Sequence, residues 1–98
     1  LTYVGEGWAI SKGTNGWARE SSTGFTIQWG YFSLASTYNI SFPRTFTNAC
    51  VAVTMGAQHP YSAKEYPWTI YPKSISKTGF RCATTFNNCF GTYIAIGY

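Results

Sequence analysis

The segment Phe25-Thr26-Ile27-Gln28-Trp29-Gly30-Tyr31 alternates strictly, with Phe25, Ile27, Trp29 and Tyr31 on one side and Thr26, Gln28 and Gly30 on the other. Successive side chains of an extended chain point to opposite faces, so this period of two spells a β-strand. The reading gives the aromatic and aliphatic side to a core and the polar side to water.

The same grammar extends in both directions. From Ser36 to Phe42, Tyr38, Ile40 and Phe42 alternate with Thr37, Asn39 and Ser41. Pro43 then removes a ladder donor and ends the strand. Residues 49–57 are apolar on both faces, with Val51, Val53 and Met55 on one side and Cys50 and Ala52 on the other, which predicts a central strand covered on both sides. Residues 68–75 and 79–86 return to strand composition around Ser76-Lys77-Thr78. Asn87-Asn88 signals a tight turn before a last strand over 92–98, where Ile94 and Ile96 share a face. Before residue 24, glycines interrupt everything except short pieces around Trp8-Ala9-Ile10 and Trp17-Ala18-Arg19. No stretch carries helical periodicity. The prediction is an all-β fold, a small antiparallel β-sandwich, with residues 1–98 as a single domain and 1–16 as a candidate junction to whatever lies upstream.

Composition bounds the function. Ninety-eight residues that are 45% hydrophobic suffice for one core without a disulfide framework or a structural metal. The longest aliphatic run, Ala49-Cys50-Val51-Ala52-Val53, is far shorter than the roughly 18 residues of a spanning helix, so no membrane insertion is expected. The chain begins at Leu1 without a signal-peptide pattern and is read as an excised fragment. Seven Lys and Arg against three Glu give a net charge of +4, which favours anionic partners. These cations (Lys12, Arg19, Arg44, Lys64, Lys73, Lys77 and Arg81) are dispersed, whereas nucleic-acid binders cluster theirs, so no nucleic acid is expected. Cys50, Cys82 and Cys89 are an odd set that reads as buried free thiols made in a reducing compartment, with a Cys82–Cys89 bridge left open.

Catalytic constellations find little support. A nucleophile triad needs a histidine with an orienting carboxylate, and the chain has one histidine, His59, no Asp, and no Gly-x-Ser-x-Gly elbow. Glu6, Glu20 and Glu65 could form a glycosidase pair only by tertiary accident and are read as solvated surface groups. The three cysteines and His59 lack the paired spacing of a zinc site. Gly5-Glu6-Gly7 has Ile10 where a phosphate-binding fingerprint needs its third glycine. The expectation is a protein that is not an enzyme and needs no cofactor or metal.

Aromatic and hydrogen-bonding residues are the prominent feature. Phe25, Trp29, Phe42, Phe80 and Phe86 lie on regular strand faces and are read as core. From Gln58 to Pro67 the periodicity disappears, and the two prolines, two tyrosines and charges of this stretch read as a long exposed loop, the place where binding residues concentrate. His59, Tyr61, Lys64, Tyr66 and Trp68, with Trp17 and Arg19 from an earlier piece, are the candidate ligand-binding residues, because rings stack on sugars while cations and amides bond hydroxyls or anions. For Tyr61, Tyr66 and Trp68 core and site readings balance.

Three segments together resemble a known family. They are Ser22-Thr23-Gly24-Phe25-Thr26-Ile27-Gln28-Trp29-Gly30, Phe42-Pro43-Arg44-Thr45-Phe46-Thr47-Asn48-Ala49-Cys50-Val51-Ala52-Val53, and Tyr93-Ile94-Ala95-Ile96-Gly97-Tyr98. In this order they are similar to the C-terminal domain of phage tail fibres of the Mu-like type, over roughly residues 17 to 98. The resemblance implies a β-sandwich-like domain, intertwined or side by side in a homotrimer, at the distal tip of a fibre that binds the bacterial surface, commonly lipopolysaccharide. It implies a virion component made in the bacterial host cytoplasm, with a shaft upstream of Leu1 and Tyr98 as the C-terminus. Gln58 to Pro67 follows no fixed family pattern, so host specificity is expected there.

A three-fold assembly would cover the second face of the apolar 49–57 strand, which makes Val51, Val53, Met55, Ile94 and Ile96 the candidate trimer interface. The leading reading is a non-enzymatic adhesin for lipopolysaccharide or another surface glycan. The alternative is a structural trimerisation and end-capping module without receptor contact. Contractile bacteriocins derived from phage tails use the same kind of fibre, and the residues do not separate the two particles.

Overall fold

The computed structural model describes residues 7–33, 39–58, 70–84 and 90–98. They form eight strands: β1 (Trp8–Ser11), β2 (Gly16–Glu20), β3 (Thr26–Ser33), β4 (Asn39–Ser41), β5 (Cys50–Gln58), β6 (Ile70–Lys73), β7 (Gly79–Thr84) and β8 (Phe90–Gly97). All pairings are antiparallel. A five-stranded sheet runs in the order β1-β2-β3-β8-β5, and a three-stranded sheet runs β4-β7-β6. The fold is thus the expected all-β one, and no described residue is helical.

The core lies between the sheets. Phe32, Tyr93 and Ala95 of the large sheet meet Phe80 and Cys82 of the small one, with Phe42 and Phe46 filling the gap from the segment after β4. The rings interlock edge to face: Phe42 and Phe46 at 5.1 Å, Phe80 and Tyr93 at 5.2 Å. Such pairs add about 0.5–1.5 kcal/mol each beyond the area they bury. Pro72 sits in β6, an edge strand, where a missing N–H costs no ladder bond.

Two expectations are corrected. The 49–57 segment is an edge strand, bonded only to β8 within its sheet, while β3 and β8 occupy interior positions. It also bulges: the register slips between Cys50 and Ala52, which turns Val51 outward to 61% exposure and separates it from Val53 and Met55. Val53 and Met55 pack against the chain's own core, and the opposite face looked apolar only because Ala52 and Gly56 are small.

The faces of β3 are also inverted. Thr26, Gln28, Gly30 and Phe32 are the buried set, while Ile27 and Trp29 are half-buried and Phe25 and Tyr31 are 41% and 46% exposed. Tyr93 decides the matter. It pairs with Gly30 and lays its ring over that glycine, where a Cβ would stand 2.5 Å from a ring carbon. Phe42 and Phe80 are core as expected, Phe25 and Trp29 are not, and Phe86 lies outside the described residues.

Candidate functional site

The β2–β3 turn is built around Glu20. Ser22 and Thr23 each donate an N–H and a hydroxyl to its carboxylate at 2.7–3.0 Å. Gly24, at φ +79°, closes the turn by donating its N–H to the Glu20 carbonyl. The donors, Ser22 foremost, hold the Glu20 carboxyl at a pKa of about 2. Glu20 is therefore not a solvated surface group, because its side chain is committed to the turn. Glu6 and Glu65 lie outside the described residues.

Gln28 is fully buried and clamps the segment after β4: its Nε2 donates to the Arg44 carbonyl at 2.6 Å, and the Arg44 N–H donates to its Oε1 at 2.9 Å. Held there, Arg44 places its guanidinium 4.6 Å from the centre of the Trp17 ring, a cation–π stack. Arg19, two residues along the same strand, lies half-buried with a buried Nε that has no hydrogen-bond partner among the described residues. Trp17 is thus a platform already covered by Arg44 on one side, and the cation beside it was missed by a reading that paired Trp17 with Arg19 alone.

A hollow of about 420 Å3 opens between the edge of β3 and β4. Its polar lining comes from Asn15, Ser33, Asn39 and Ser41, and its aromatic lining from Tyr31 and Tyr93. The Asn15 Oδ1 accepts the Tyr31 N–H at 2.9 Å, which fixes the amide at the rim of the hollow. Burial pushes the Tyr93 phenol up to about 12, so it stays a neutral hydroxyl at any working pH. A second hollow of about 320 Å3 shares Asn39 and Ser41 with the first and continues to Ser74, Ser76, Thr78 and Arg81. Both fall within the roughly 300–1,000 Å3 of sites that take small molecules. Neither is legible in the sequence, since Asn15, Asn39 and Arg81 come from three separate parts of the chain.

The outer face of the large sheet is apolar and open. Register puts Trp8 and Ile10 on the same side as Ala18, Ile27, Trp29, Ile94 and Ile96. Ile10 and Ile94 are 55% and 52% exposed, and Trp8 39%. The Trp29 ring lies over Gly16 and its Nε1 donates to the Gly13 carbonyl at 2.9 Å. Of the expected interface residues, Ile94 and Ile96 lie on this face and Val51 projects from the bulge, whereas Val53 and Met55 face inward.

The other expected ligand-binding residues, His59, Tyr61, Lys64, Tyr66 and Trp68, lie outside the described residues, as do Asn87-Asn88 and Cys89. Cys82 is buried in the core. Cys50 is half-buried, its thiol turned to the Ala52 carbonyl at 3.7 Å and its pKa raised by burial.

Comparison with known proteins places this arrangement. Residues 20–98 match the model of a family described as tail fiber protein gp53-like, C-terminal. The chain belongs to this tail-fibre family. The tail-fibre domain has solved counterparts of the same fold: an N-truncated R1-type pyocin tail fibre superimposes with a TM-score of 0.76 at 23% identity, covering 93% of this chain and 85% of that one. Fibres of the R1 and R2 pyocins of P. aeruginosa superimpose with TM-scores of 0.74 and 0.76 at 23% and 20% identity. The domain covers 28% and 26% of those two longer chains. No curated protein sequence matches. The tail-fibre domain is accordingly a component of a phage or phage-tail-like particle.

The three segments that carry the resemblance now have structural reasons. Ser22-Thr23-Gly24 bonds Glu20, Gln28 clamps the Arg44 of Phe42-Pro43-Arg44, and Asn48-Ala49 donates two N–H groups to the Tyr98 carbonyl at 2.7 and 2.8 Å.

Proposed function

We propose that three copies of this domain associate through the outer face of the large sheet to form the tip of a tail fibre, which attaches the particle to a bacterial surface glycan, lipopolysaccharide being the foremost choice. The observation that carries the reading is membership of the tail-fibre C-terminal family over residues 20–98. The open apolar face supports the assembly. Apolar patches of this kind on a monomer mark contact surfaces, and a three-fold arrangement would bury Ile10, Ile27, Trp29 and Ile94 together. In this reading attachment breaks no bond. Three weak sites on one tip, repeated over several fibres, raise apparent affinity by roughly a hundred- to ten-thousand-fold when they engage together.

The openness of that face also favours a second reading, in which the domain only trimerises and caps the fibre. The experiment that separates the two is binding of the labelled protein to a panel of host strains truncated stepwise in lipopolysaccharide. Attachment that disappears at one truncation supports the adhesin; a folded trimer that labels no susceptible strain supports the cap. Within the adhesin reading, Tyr66→Ala and Trp68→Ala test the 58–67 segment and the residue that follows it: attachment falls with oligomeric mass unchanged if this stretch touches the receptor, and unaltered attachment by both variants removes it.

A further inference from the structure

Lys73 and Arg81 are direct cross-strand partners in β6 and β7, and both are exposed. Like charges set opposite one another in a ladder repel. Among the described residues the one side-chain carboxylate is Glu20, which sits in the other sheet and is satisfied by Ser22 and Thr23. A cationic pair of this kind favours an anion beside it.

What lies beside the pair sets the kind of anion. Arg81 also pairs with Asn39 across β4 and β7, and it lines the smaller hollow together with Ser74, Ser76 and Thr78; the Ser76 hydroxyl holds its own turn, bonded to Thr78 and to the Gly79 carbonyl, so Ser41 and Ser74 are the hydroxyls offered to a ligand. That hollow shares Asn39 and Ser41 with the larger one, whose rim carries the exposed ring of Tyr31 and whose wall carries Asn15. The two form one strip across β4: hydroxyl and amide groups with aromatic carbon at one end, and two cations at the other. Hydroxyls and amides match the hydroxyl groups of a sugar ring, aromatic carbon matches its C–H face, and guanidinium matches a phosphate or carboxylate.

We infer that this strip, from Asn15 and Tyr31 across Asn39 and Ser41 to Arg81 and Lys73, binds a sugar chain that bears a phosphate or carboxylate, with the neutral ring in the larger hollow and the anionic group at the cations. The inference rests on the attachment reading above and gives it a place and a ligand class. It locates contact on the small sheet's β4 side.

The test is amide chemical-shift mapping of the isotope-labelled protein at low salt with four probes: glucose, glucose 6-phosphate, galactose and galacturonate. The phosphorylated and carboxylated sugars are expected to move the amides of 39–41, 74–79 and 81 and to bind at least about tenfold more tightly than their neutral counterparts, a gap that closes in 0.5 M salt. A larger response to glucose 6-phosphate than to galacturonate identifies a phosphate site, and the reverse a carboxylate site. The double variant K73A/R81A should reduce the anionic sugars to the affinity of the neutral ones. Ser33→Trp, at an exposed position on the rim, should abolish the response at 39–41. Shifts confined to other regions, or equal affinity for charged and neutral sugars, overturn the inference. The same variants in the host-strain assay keep the two readings apart. Wild-type attachment that survives both variants overturns the site and leaves the adhesin standing, whereas sugar shifts at the strip without attachment to any strain uphold the site and remove the adhesin.

Discussion

Gln28 and Arg44 exchange two hydrogen bonds, the Gln28 side-chain amide taking both the N–H and the carbonyl of Arg44 at 2.9 and 2.6 Å. A side chain buried at the middle of the large sheet thereby fixes the segment that carries Phe42 and Phe46 into the core. The same pair of bonds places the Arg44 guanidinium over Trp17.

Replacing Gln28 with Leu fills the volume but orphans a backbone donor and acceptor. The cost should be about 1–3 kcal/mol, softened because Arg44 is itself exposed. Thermal unfolding should show it as a drop of roughly 5–20 °C for a domain of this size. Gln28→Glu should cost more, since a carboxylate cannot donate to the Arg44 carbonyl and its charge is buried.

Gly30→Ala puts a methyl group 2.5 Å from the Tyr93 ring and 2.6 Å from the Asn15 Oδ1. The expected result is a loss of about 1–3 kcal/mol from overpacking, with the amide resonances of residues 15, 31 and 93 shifted together. Gly56→Ala serves as the control, because a Cβ there meets nothing within 4 Å.

Glu20 gives the fold an acid-sensitive element. Its folded-state pKa is lowered to about 2 from an ordinary 4.5 by the donors of Ser22 and Thr23. A depressed carboxyl pKa stabilises the fold above the unfolded-state value and loses that contribution as pH falls from about 4.5 towards 2. Melting temperature should therefore decline over that interval in the native protein. The variant Glu20→Gln should be less stable at neutral pH and flatter across the same window.

The proposed assembly through the outer face is tested at Ile94. Ile94→Asp, at a residue 52% exposed in the single chain, leaves the core untouched and introduces a charge where three copies would meet. Light scattering should report a mass near three chains for the native protein and near one chain for the variant, with the β-sheet circular dichroism retained. A variant that keeps the mass of three chains would show that the copies meet elsewhere.

Local pattern made the strands legible. The alternation through 25–31, the apolar run of 49–57 and the Ile94/Ile96 pairing each mark an element that is present, because strand formation depends on a period the chain carries in itself. Even the short pieces at Trp8-Ala9-Ile10 and Trp17-Ala18-Arg19 became β1 and β2. Which side of a strand is inner is another matter. On β3 the aromatic side was the obvious core, yet Gly30 faces inward because the Tyr93 ring needs the space of a missing side chain, and Gln28 does because a backbone segment needs its amide.

The site followed the same division. Trp17 and Arg19 stand out by residue type, but their neighbour Arg44 is brought by the Gln28 clamp from 27 residues along the chain. The hollows at Asn15, Asn39 and Arg81 have no linear signal, since each residue contributes one polar group from a different part of the chain. By itself the sequence determined the all-β class, the approximate strand positions and, through three ordered segments, the tail-fibre family, because these depend on residues near one another in the chain. The tertiary structure alone decided strand order, the edge position of β5, the inward face of β3 and the cationic strip across β4. Those depend on which distant residues share a register, and register is settled only when Tyr93, Phe42 and Phe80 pack as one core.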